Sequence, residues 1–597
     1  MSVNKKQNTF AKTKSYTGRK IKPKNGKSFK RKAMNAATKT GKNEPKPVMR
    51  IMFLGGLNEI GKNITLFECC NDIFILDCGM AFPDGDLLGV DLVIPDFSYI
   101  IENADRIKGI VITHGHEDHI GSLPFLLGKV KLPVYATPLT IGLIENKLKE
   151  FNLNNESDLN VVNSGDTVHL GCMDVEFIHV NHSIPDSVGV AIHSPAGVVV
   201  HTGDFKIDCT PVDGGMINLA RFGELGNQGV LALLADSTNA ERPGYTPTEQ
   251  TVRASFERLF ARAEKKRIII ATFASNISRI QQIVYCAEKS GRKVAFSGRS
   301  MINYVTVAKE LGYIDIKDES VIDIDLIKRY PPEKLVLVTT GTQGEPMSAL
   351  SRMAYSDHKK VEVGFGDFII ISANPIPGNE KAVGNVVNEL LKKGCEVVHE
   401  SMYEVHVSGH ACREELKIIH GLVKPKFFIP VHGEQKHLRK HAELALDMGM
   451  EHKNIFIGDI GNVVELNENY LKQLPSVQAG KVLVDGLGVG DVGSIVLRDR
   501  KHLGQDGILI IVATLDSGNG NVISGPDIVS RGFVYVRESE ELFDDVRATV
   551  SETLYDCACE EIRDWNTIKG RVKESVSKQI YERTHRSPMI LPIIMDV

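Results

Sequence analysis

The chain has 597 residues, 42% of them hydrophobic and 24% charged, with a formal net charge of −4. That length exceeds one ordinary core and predicts three or four domains, and no apolar run reaches the roughly 18–20 residues that cross a bilayer. Ten scattered cysteines without a C-x-x-C pair fit reduced thiols in a cytoplasm better than a disulfide framework or a cysteine zinc site.

Residues 1–48 hold 13 Lys, 2 Arg and one acid, Glu44, a balance of +14 that leaves −18 for the remainder. This basic extension has too few large apolar residues to bury a core, so disorder is expected. It would condense onto nucleic acid by releasing counterions, or serve only as a solubilising tail. No apolar stretch follows its basic residues, so a secretory signal is not expected. From Met49 the texture changes. MRIMFLGG, NITLFECC and DIFILDCG are short β-like runs broken by Gly or Asn-Asp, which predicts hairpins. IKGIVITH is a further strand, HIGSLPFLLGKV opens a helix, and VYATPLTIGLIENKLKEFNL reads as strand then helix. DVEFIHVNHS, VGVAIHSPAGVVVHTGDF and GVLALLADST add strands, giving a layered α/β or α+β domain over 49–241.

Residues 242–411 alternate strands with helices: TPTEQTVRASFERLFARAEKK, RIIIATFAS, ISRIQQIVYCAEKSG, RKVAFSG, LVLVTTG and DFIIISANP. That alternation predicts a parallel α/β domain of Rossmann-like topology. KPKFFIPVHGE returns to a strand ending in a histidine, and 412–465 is assigned back to the first domain. A linker is expected over 466–484. A C-terminal domain follows over 485–597, with GILIIVATLD and GFVYVRES as strands and DDVRATVSETLYDCACEEI as a helix.

The chemistry is concentrated in VITHGHEDH. Alternate side chains of a strand share a face, so His114 and His116 point the same way as the strand ends, and Asp118 and His119 follow on the turn into a helix. A lone histidine there would read as structural. H-x-H-x-D-H behind a buried strand reads as a metal site, and its imidazole and carboxylate donors suit Zn²⁺ or Mn²⁺.

THGHEDHIGSLPFL resembles the signature of the metallo-β-lactamase superfamily, whose fold is an αββα sandwich with metals on one edge. The resemblance implies further ligands, found as His182 in VNHSIPDS, Asp204 in HTGDFK and His432 in IPVHGE. It implies two divalent metal ions, most readily Zn²⁺, with Mn²⁺ as the alternative. One is held by His114, His116 and His182, the other by Asp118, His119 and His432, with Asp204 between them. Nearby His179, His193 and His201 receive no metal role.

The long stretch between Asp236 and His432 resembles a β-CASP domain, whose further marks are Asp236 in ADSTNAERPG and His410 in HVSGHA. LGGLNEIGKN, LDCGMAFPDGDLLGVDLVIPDFSYI, ATFASNISRIQQI, SGRSM, TTGTQGEPMSAL and ANPIPGNE narrow the likeness to the bacterial ribonuclease J family, from about residue 50 to the end. Val407 departs from the smaller residue expected there. The fold class expected is therefore α/β: a metallo-β-lactamase αββα sandwich, an inserted β-CASP α/β domain and a small C-terminal α/β domain.

The resemblance implies metal-dependent hydrolysis of RNA, 5′–3′ exonucleolytic and endonucleolytic, in mRNA decay and rRNA maturation, leaving 5′-phosphate and 3′-hydroxyl ends. His410 would assist the leaving 3′-oxygen or hold a phosphate oxygen, and Asp236 would orient it or a neighbouring histidine. A pocket for the 5′-monophosphate of single-stranded RNA would use His406, Ser408 and Gly409, with Ser372 and Asn374. Phe82 would stack on a terminal base. Ser372 and Asn374 read equally well as strand-end turn residues, and Phe82 as core. A homodimer or homotetramer through the C-terminal domain, RNA-decay proteins or the ribosome as partners, and a cytoplasmic location without membrane contact are also implied. Three other readings stay open at this level: a β-CASP nuclease acting on DNA, a small-molecule metallo-hydrolase, and a non-catalytic RNA-binding scaffold.

Overall fold

The alternation in MRIMFLG decides how the first sheet is covered. Met49, Ile51 and Phe53 point into one apolar layer, and Met52 and Leu54 into another, so this strand is buried on both faces. The computed structural model describes residues 47–597 except 213, 346, 376–378, 400–401, 487 and 535–538, so nearly all of the basic extension expected over 1–48 lies outside the described residues.

Eight strands form the first sheet, in the order Leu471–Leu474, Val463–Leu466, Met49–Gly55, Ile64–Cys69, Asp72–Leu76, Ile107–Val111, Val134–Ala136 and Leu159–Val161. Six form the second: Phe427–Val431, Ala232–Asp236, Gly197–His201, Val188–Ser194, Met173–His179 and Thr167–Leu170. Phe53, Phe67 and Phe74 of the first sheet meet Phe177, Val190, Ile192 and Ile429 of the second in one buried layer. Helices cover the outer faces. Leu219–Gln228, Arg413–Val423 and Gln435–Asp447 lie on the second sheet through Phe222, Leu416, Ile419 and Leu444, completing an αββα sandwich.

The α/β alternation after residue 242 builds a five-stranded, all-parallel sheet. Its order is Lys293–Ser297, Leu335–Thr339, Arg267–Ala271, Asp367–Ile371 and Glu396–Val398. Numbered along the chain this is 2-3-1-4-5, not the 3-2-1-4-5-6 order of a Rossmann sheet, so that part of the expectation is corrected. RIIIA, LVLVT and DFIII are apolar almost throughout because both faces are buried. Helix Arg299–Glu310 of this unit packs on helix Pro138–Glu150 of the sandwich, where a Cβ at Gly142 would stand 2.7 Å from Val307 Cγ1.

The two crossings between the sandwich and the inserted unit are tied together. The Arg413 N–H donates to the Arg242 carbonyl (3.0 Å) and the Glu414 N–H to that of Gly244 (3.1 Å). Beneath them the Glu415 carboxylate, fully buried, accepts the backbone N–H groups of Ile207 (2.7 Å), Thr246 (2.7 Å) and Cys412 (2.8 Å).

The stretch expected as a linker over 466–484 is largely structured. Leu471–Leu474 closes one edge of the eight-stranded sheet, and Lys481–Asp485 pairs with Leu92–Pro95. Strand Leu471–Leu474 is half-exposed on a sheet edge, so its sequence lacks the apolar run of a central strand. The C-terminal unit is a sheet of Val522–Arg531, Ile508–Leu515 and Met589–Asp596, covered on one face by helices Glu540–Cys559 and Trp565–Thr584. The strand expected at GFVYVRES falls partly outside the described residues. Ile508–Leu515 pairs instead with VISGPDIVSR, where Gly525-Pro526 interrupts the apolar pattern and the register shifts. Among the described residues no helix is long and apolar enough to cross a membrane.

Replacing Glu415 with Ala orphans three buried N–H donors, each worth about 1–3 kcal/mol. Glu415→Ala should therefore lower stability by roughly 3 kcal/mol or more in urea unfolding, and Glu415→Gln, which keeps an acceptor oxygen, by less. An unchanged midpoint in Glu415→Ala would show that this carboxylate does not hold the crossings.

Candidate metal centre

The centre lies at one edge of the sandwich, where strands of both sheets run out into short loops. After Ile107–Val111 the chain passes through Thr113, His114 and His116, and His116 precedes the single helical turn Glu117–Ile120 that carries Asp118 and His119. The second sheet supplies His182 beyond Met173–His179, Asp204 beyond Gly197–His201 and His432 beyond Phe427–Val431. His432 has a left-handed backbone, φ 55°, which turns its ring back towards Asp118.

All seven side chains converge. The His116 Nδ1 is 3.0 Å from His114 Nε2 and 3.2 Å from His182 Nε2. Asp118 Oδ2 is 3.5 Å from His119 Nε2 and 3.3 Å from His432 Nε2. Asp204 Oδ2 sits between the groups, 3.3 Å from His119, 3.4 Å from His432, 3.8 Å from His114 and 3.9 Å from His182. Tetrahedral donors about 2.1 Å from a common ion stand about 3.4 Å apart, so these separations fit a metal. At this centre, among the described residues, three donor sets capable of holding an ion result: His114 with His116 and His182, Asp118 with His119, Asp204 and His432, and, overlapping the second, Asp204 with Asp236, His410 and His432.

The outer nitrogens fix the rings. His119 Nδ1 meets Asp77 Oδ2 at 2.8 Å, His182 Nδ1 the Gly409 carbonyl at 2.8 Å, His432 Nδ1 the Thr238 hydroxyl at 2.7 Å and His114 Nδ1 the Thr113 hydroxyl at 3.0 Å. In each case Nε2 is left facing the centre, the tautomer that metal ligation needs. Burial pushes the pKa values of His114 and His182 well below the ordinary imidazole range and that of His116 to about 4. These three rings therefore offer lone pairs at neutral pH. Burial also opposes charge on His119 and His432, but the carboxylates of Asp204 and Asp118 outweigh it, holding His119 well above its ordinary value and His432 at about 9. A divalent cation would supply the positive charge those protons now provide.

Asp236 and His410 lie beside this group. Asp236 Oδ2 is 2.7 Å from His410 Nδ1, and the other oxygen accepts from the Thr238 hydroxyl at 2.8 Å and its N–H at 3.0 Å. The His410 ring keeps 21% exposure where Asp236 is buried, and against the effect of burial Asp236 raises its pKa. His410 Nδ1 is 3.9 Å from Asp204 Oδ2.

The residues expected to form an anion pocket are arranged unevenly. His406 Nδ1 pairs with the fully buried Arg279 guanidinium at 2.8 Å, and Arg279 also donates to the Ser372 carbonyl at 3.0 Å and to Glu249 at 2.5 Å. The Ser372 hydroxyl is buried and donates to the Val405 carbonyl. Ser408 Oγ accepts from Asn239 at 2.8 Å, and half-buried Asn374 has a side-chain oxygen without a hydrogen-bond partner among the described residues. Gly409 must lack a side chain, since a Cβ there would stand 2.6 Å from the His182 ring. Phe82 is 67% exposed and makes no ring contact with this group among the described residues, which corrects its core reading. His179 bonds the Gly215 carbonyl, His193 pairs with Glu176, and His201 accepts from the Gly203 N–H, and none of the three belongs to a donor set among the described residues.

Sequence reasoning missed Asp77, Thr113, Thr238, Asn239 and Arg279. Asp77, in ILDCG, had a usable signal: an acid at the end of an apolar strand, as Asp236 is and as Asp204 is just beyond one. Besides His119, its carboxylate accepts the Thr113 N–H at 2.8 Å and the Thr113 hydroxyl. Loss of such an outer partner costs about 10–100-fold in metal affinity. Asp77→Asn should weaken metal binding by that factor in competition with a chelator, with circular dichroism unchanged; wild-type affinity would deny Asp77 this role.

Four family models match the chain. The metallo-beta-lactamase superfamily matches residues 58–233, the ribonuclease J beta-CASP domain 265–390, the Zn-dependent metallo-hydrolase RNA specificity domain 395–457 and the ribonuclease J C-terminal domain 495–597. Ribonuclease J2 of Bacillus subtilis is 44% identical over 549 residues, covering 92% of this chain and 99% of that protein. Ribonuclease J 1 of Streptococcus pyogenes is 42% identical, covering 91% and 97%, and ribonuclease J of Thermus thermophilus 42%, covering 92% and 96%. A solved structure of a protein of unknown function from Enterococcus faecalis superposes with a TM-score of 0.50 at 15% identity, covering 70% of this chain and all of that one, a likeness of fold alone. With that identity sustained along almost the whole of each relative, the chain belongs to the ribonuclease J family.

Proposed function

We propose that the chain is a metal-dependent ribonuclease that hydrolyses RNA phosphodiester bonds from a 5′-monophosphate end and at internal sites, leaving 5′-phosphate and 3′-hydroxyl products. The observation that carries the reading is the convergence of two donor sets on Asp204. His114, His116 and His182 would hold one divalent ion, and Asp118, His119 and His432, with Asp204, would hold a second. Mixed nitrogen and oxygen donors favour Zn²⁺ and accept Mn²⁺. Such ions, when bound, lower the pKa of water and stabilise charge on the oxygens of an in-line displacement.

The remaining work falls to the chain's own residues. Asp236 holds His410 through Nδ1 and favours its protonated form, leaving Nε2 to donate a proton to the leaving 3′-oxygen or to grip a phosphate oxygen. Arg279 fixes His406 and the Ser372 segment, which with Ser408, Gly409 and Asn374 would receive the terminal phosphate. Exposed Phe82 is available to stack on a base.

A cavity of about 550 Å³ runs from Glu117 and Lys147, beside the metal centre, to Arg299, Ser300 and Arg352 of the inserted unit. Lys147 is paired with Glu117 at 2.7 Å, so Arg299 and Arg352, with the hydroxyls of Ser300 and Ser348, are the groups that would meet the phosphates of a strand. An RNA rather than a DNA substrate is supported by the RNA specificity domain match and by the names of the relatives. Association through the C-terminal unit is supported by Val529, Leu591, Ile593 and Met595, apolar side chains exposed on its uncovered sheet face. A cytoplasmic site of action fits this reading.

The test is degradation of a 5′-labelled RNA bearing a monophosphate or a triphosphate, with metal or with chelator, beside a DNA strand of equal length. The expected result is metal-dependent release of labelled mononucleotide from the monophosphate RNA, slower from the triphosphate. A folded protein inert on RNA in Zn²⁺, Mn²⁺ and Mg²⁺ would overturn the proposal. His116→Ala should abolish cleavage without unfolding. His410→Ala should lower kcat by about 10²–10⁴-fold, the range for loss of a general acid, while metal content stays at the wild-type level. Wild-type turnover in His410→Ala would remove it from the chemistry.

A further inference from the structure

Far along the sandwich from the histidine centre, two hairpin turns bring three thiols together. Cys69 ends strand Ile64–Cys69, and Cys70 and Asn71 form the tight turn into Asp72–Leu76. Both turn residues are left-handed, with φ 51° and 76°. Cys172 lies in the turn joining Thr167–Leu170 to Met173–His179, on the other sheet. Asp72 locks the two turns against each other. Its Oδ2 accepts the Cys172 N–H at 2.9 Å, and it leaves no room for a Cβ at Gly171, which would come within 2.2 Å. The Cys172 thiol donates to the Cys69 carbonyl at 3.0 Å.

The three Sγ atoms lie within 4.8 Å of one another, and those of Cys69 and Cys70 are 3.8 Å apart. Thiolates about 2.3 Å from Zn²⁺ at tetrahedral positions stand about 3.8 Å apart, so the closest pair already has the spacing of two ligands on one ion. Cys69 is buried, Cys172 half-buried and Cys70 exposed, which gives an ion a dry wall and a route in from solvent. The donors are all sulfur, with no imidazole in the group, and Asp72 is engaged by the Cys172 N–H and by Lys108 at 3.3 Å. Softness therefore selects a thiophilic d¹⁰ ion over Mn²⁺ or Mg²⁺.

We propose that Cys69, Cys70 and Cys172 form a second metal site, separate from the histidine centre, which takes one divalent d¹⁰ ion of the Zn²⁺ class and cross-links the two sheets through their hairpin turns. Each thiol that ligates gives up its proton to solvent, and solvent fills the fourth position on the Cys70 side. The proposal stands apart from the ribonuclease reading, since none of the three cysteines touches the donor sets described above.

Titration of the reduced, metal-free full-length chain with Cd²⁺ reads the site directly, because only sulfur ligands give a thiolate-to-metal charge-transfer absorption. The wild type should develop that band to saturation at one equivalent of sulfur-bound ion, and Zn²⁺ should compete it away. Cys70→Ser and Cys172→Ser should each lose most of the band while keeping wild-type circular dichroism and RNA cleavage. Should Cys172→Ser fail to fold, the exposed Cys70→Ser still decides the matter. A wild-type chain without the band, or a band of equal strength in Cys70→Ser, would overturn the site.

Discussion

A single carboxylate oxygen, Asp204 Oδ2, stands within 3.9 Å of five imidazoles while Asp204 is only 3% exposed. Burying a charge so deeply costs several kcal/mol unless opposite charge and hydrogen bonds meet it. The structure meets that demand in two ways. Two of those rings, His114 and His182, stay neutral because desolvation dominates, and at the other three, His119, His432 and His410, neighbouring carboxylates outweigh burial and favour the protonated form. The same arrangement becomes a cation site when the protons are exchanged for metal.

Holding five rings at these separations requires support outside the ligand set. Asp77, Thr113, Thr238 and the Gly409 carbonyl each take the outward nitrogen of one histidine. Gly409 belongs to the segment returning from the inserted unit, so the rotamer of His182 in the sandwich depends on how that unit is docked. Glu415 anchors the same return segment by gathering three backbone N–H groups from both sides of the crossing. Arg279 extends the coupling by binding Ser372, His406 and Glu249 with one guanidinium. Domain docking and metal geometry are thus one mechanical problem here.

Local pattern carried much of the architecture. Strands such as RIIIA and LVLVT are apolar on both faces because a parallel sheet covered by helices leaves neither face wet. The edge strand Leu471–Leu474 escaped notice because a half-exposed edge carries no comparable apolar run. The strand VISGPDIVSR escaped because Gly525-Pro526 breaks its alternation at a register shift. The exchange of the second and third strands in the parallel sheet is invisible to periodicity, which reports what each segment buries and not which neighbour it pairs with.

The sequence by itself determined the donor types and their strand-end positions. H-x-H-x-D-H places four donors through chain geometry alone, and His182, Asp204 and His432 each follow an apolar strand in the way that motif leads one to expect. Tertiary structure alone decided which outer atom orients each ring, because Asp77 with His119, Thr238 with His432 and Gly409 with His182 are pairs far apart in the chain. The cysteines make the same point. Without a C-x-x-C spacing they read as ordinary reduced thiols, yet Cys172 reaches Cys69 and Cys70 because two hairpin turns on different sheets are locked by Asp72. Ligand identity is a property of residues, whereas ligand convergence is a property of sheets packed face to face, and only the second sets distances.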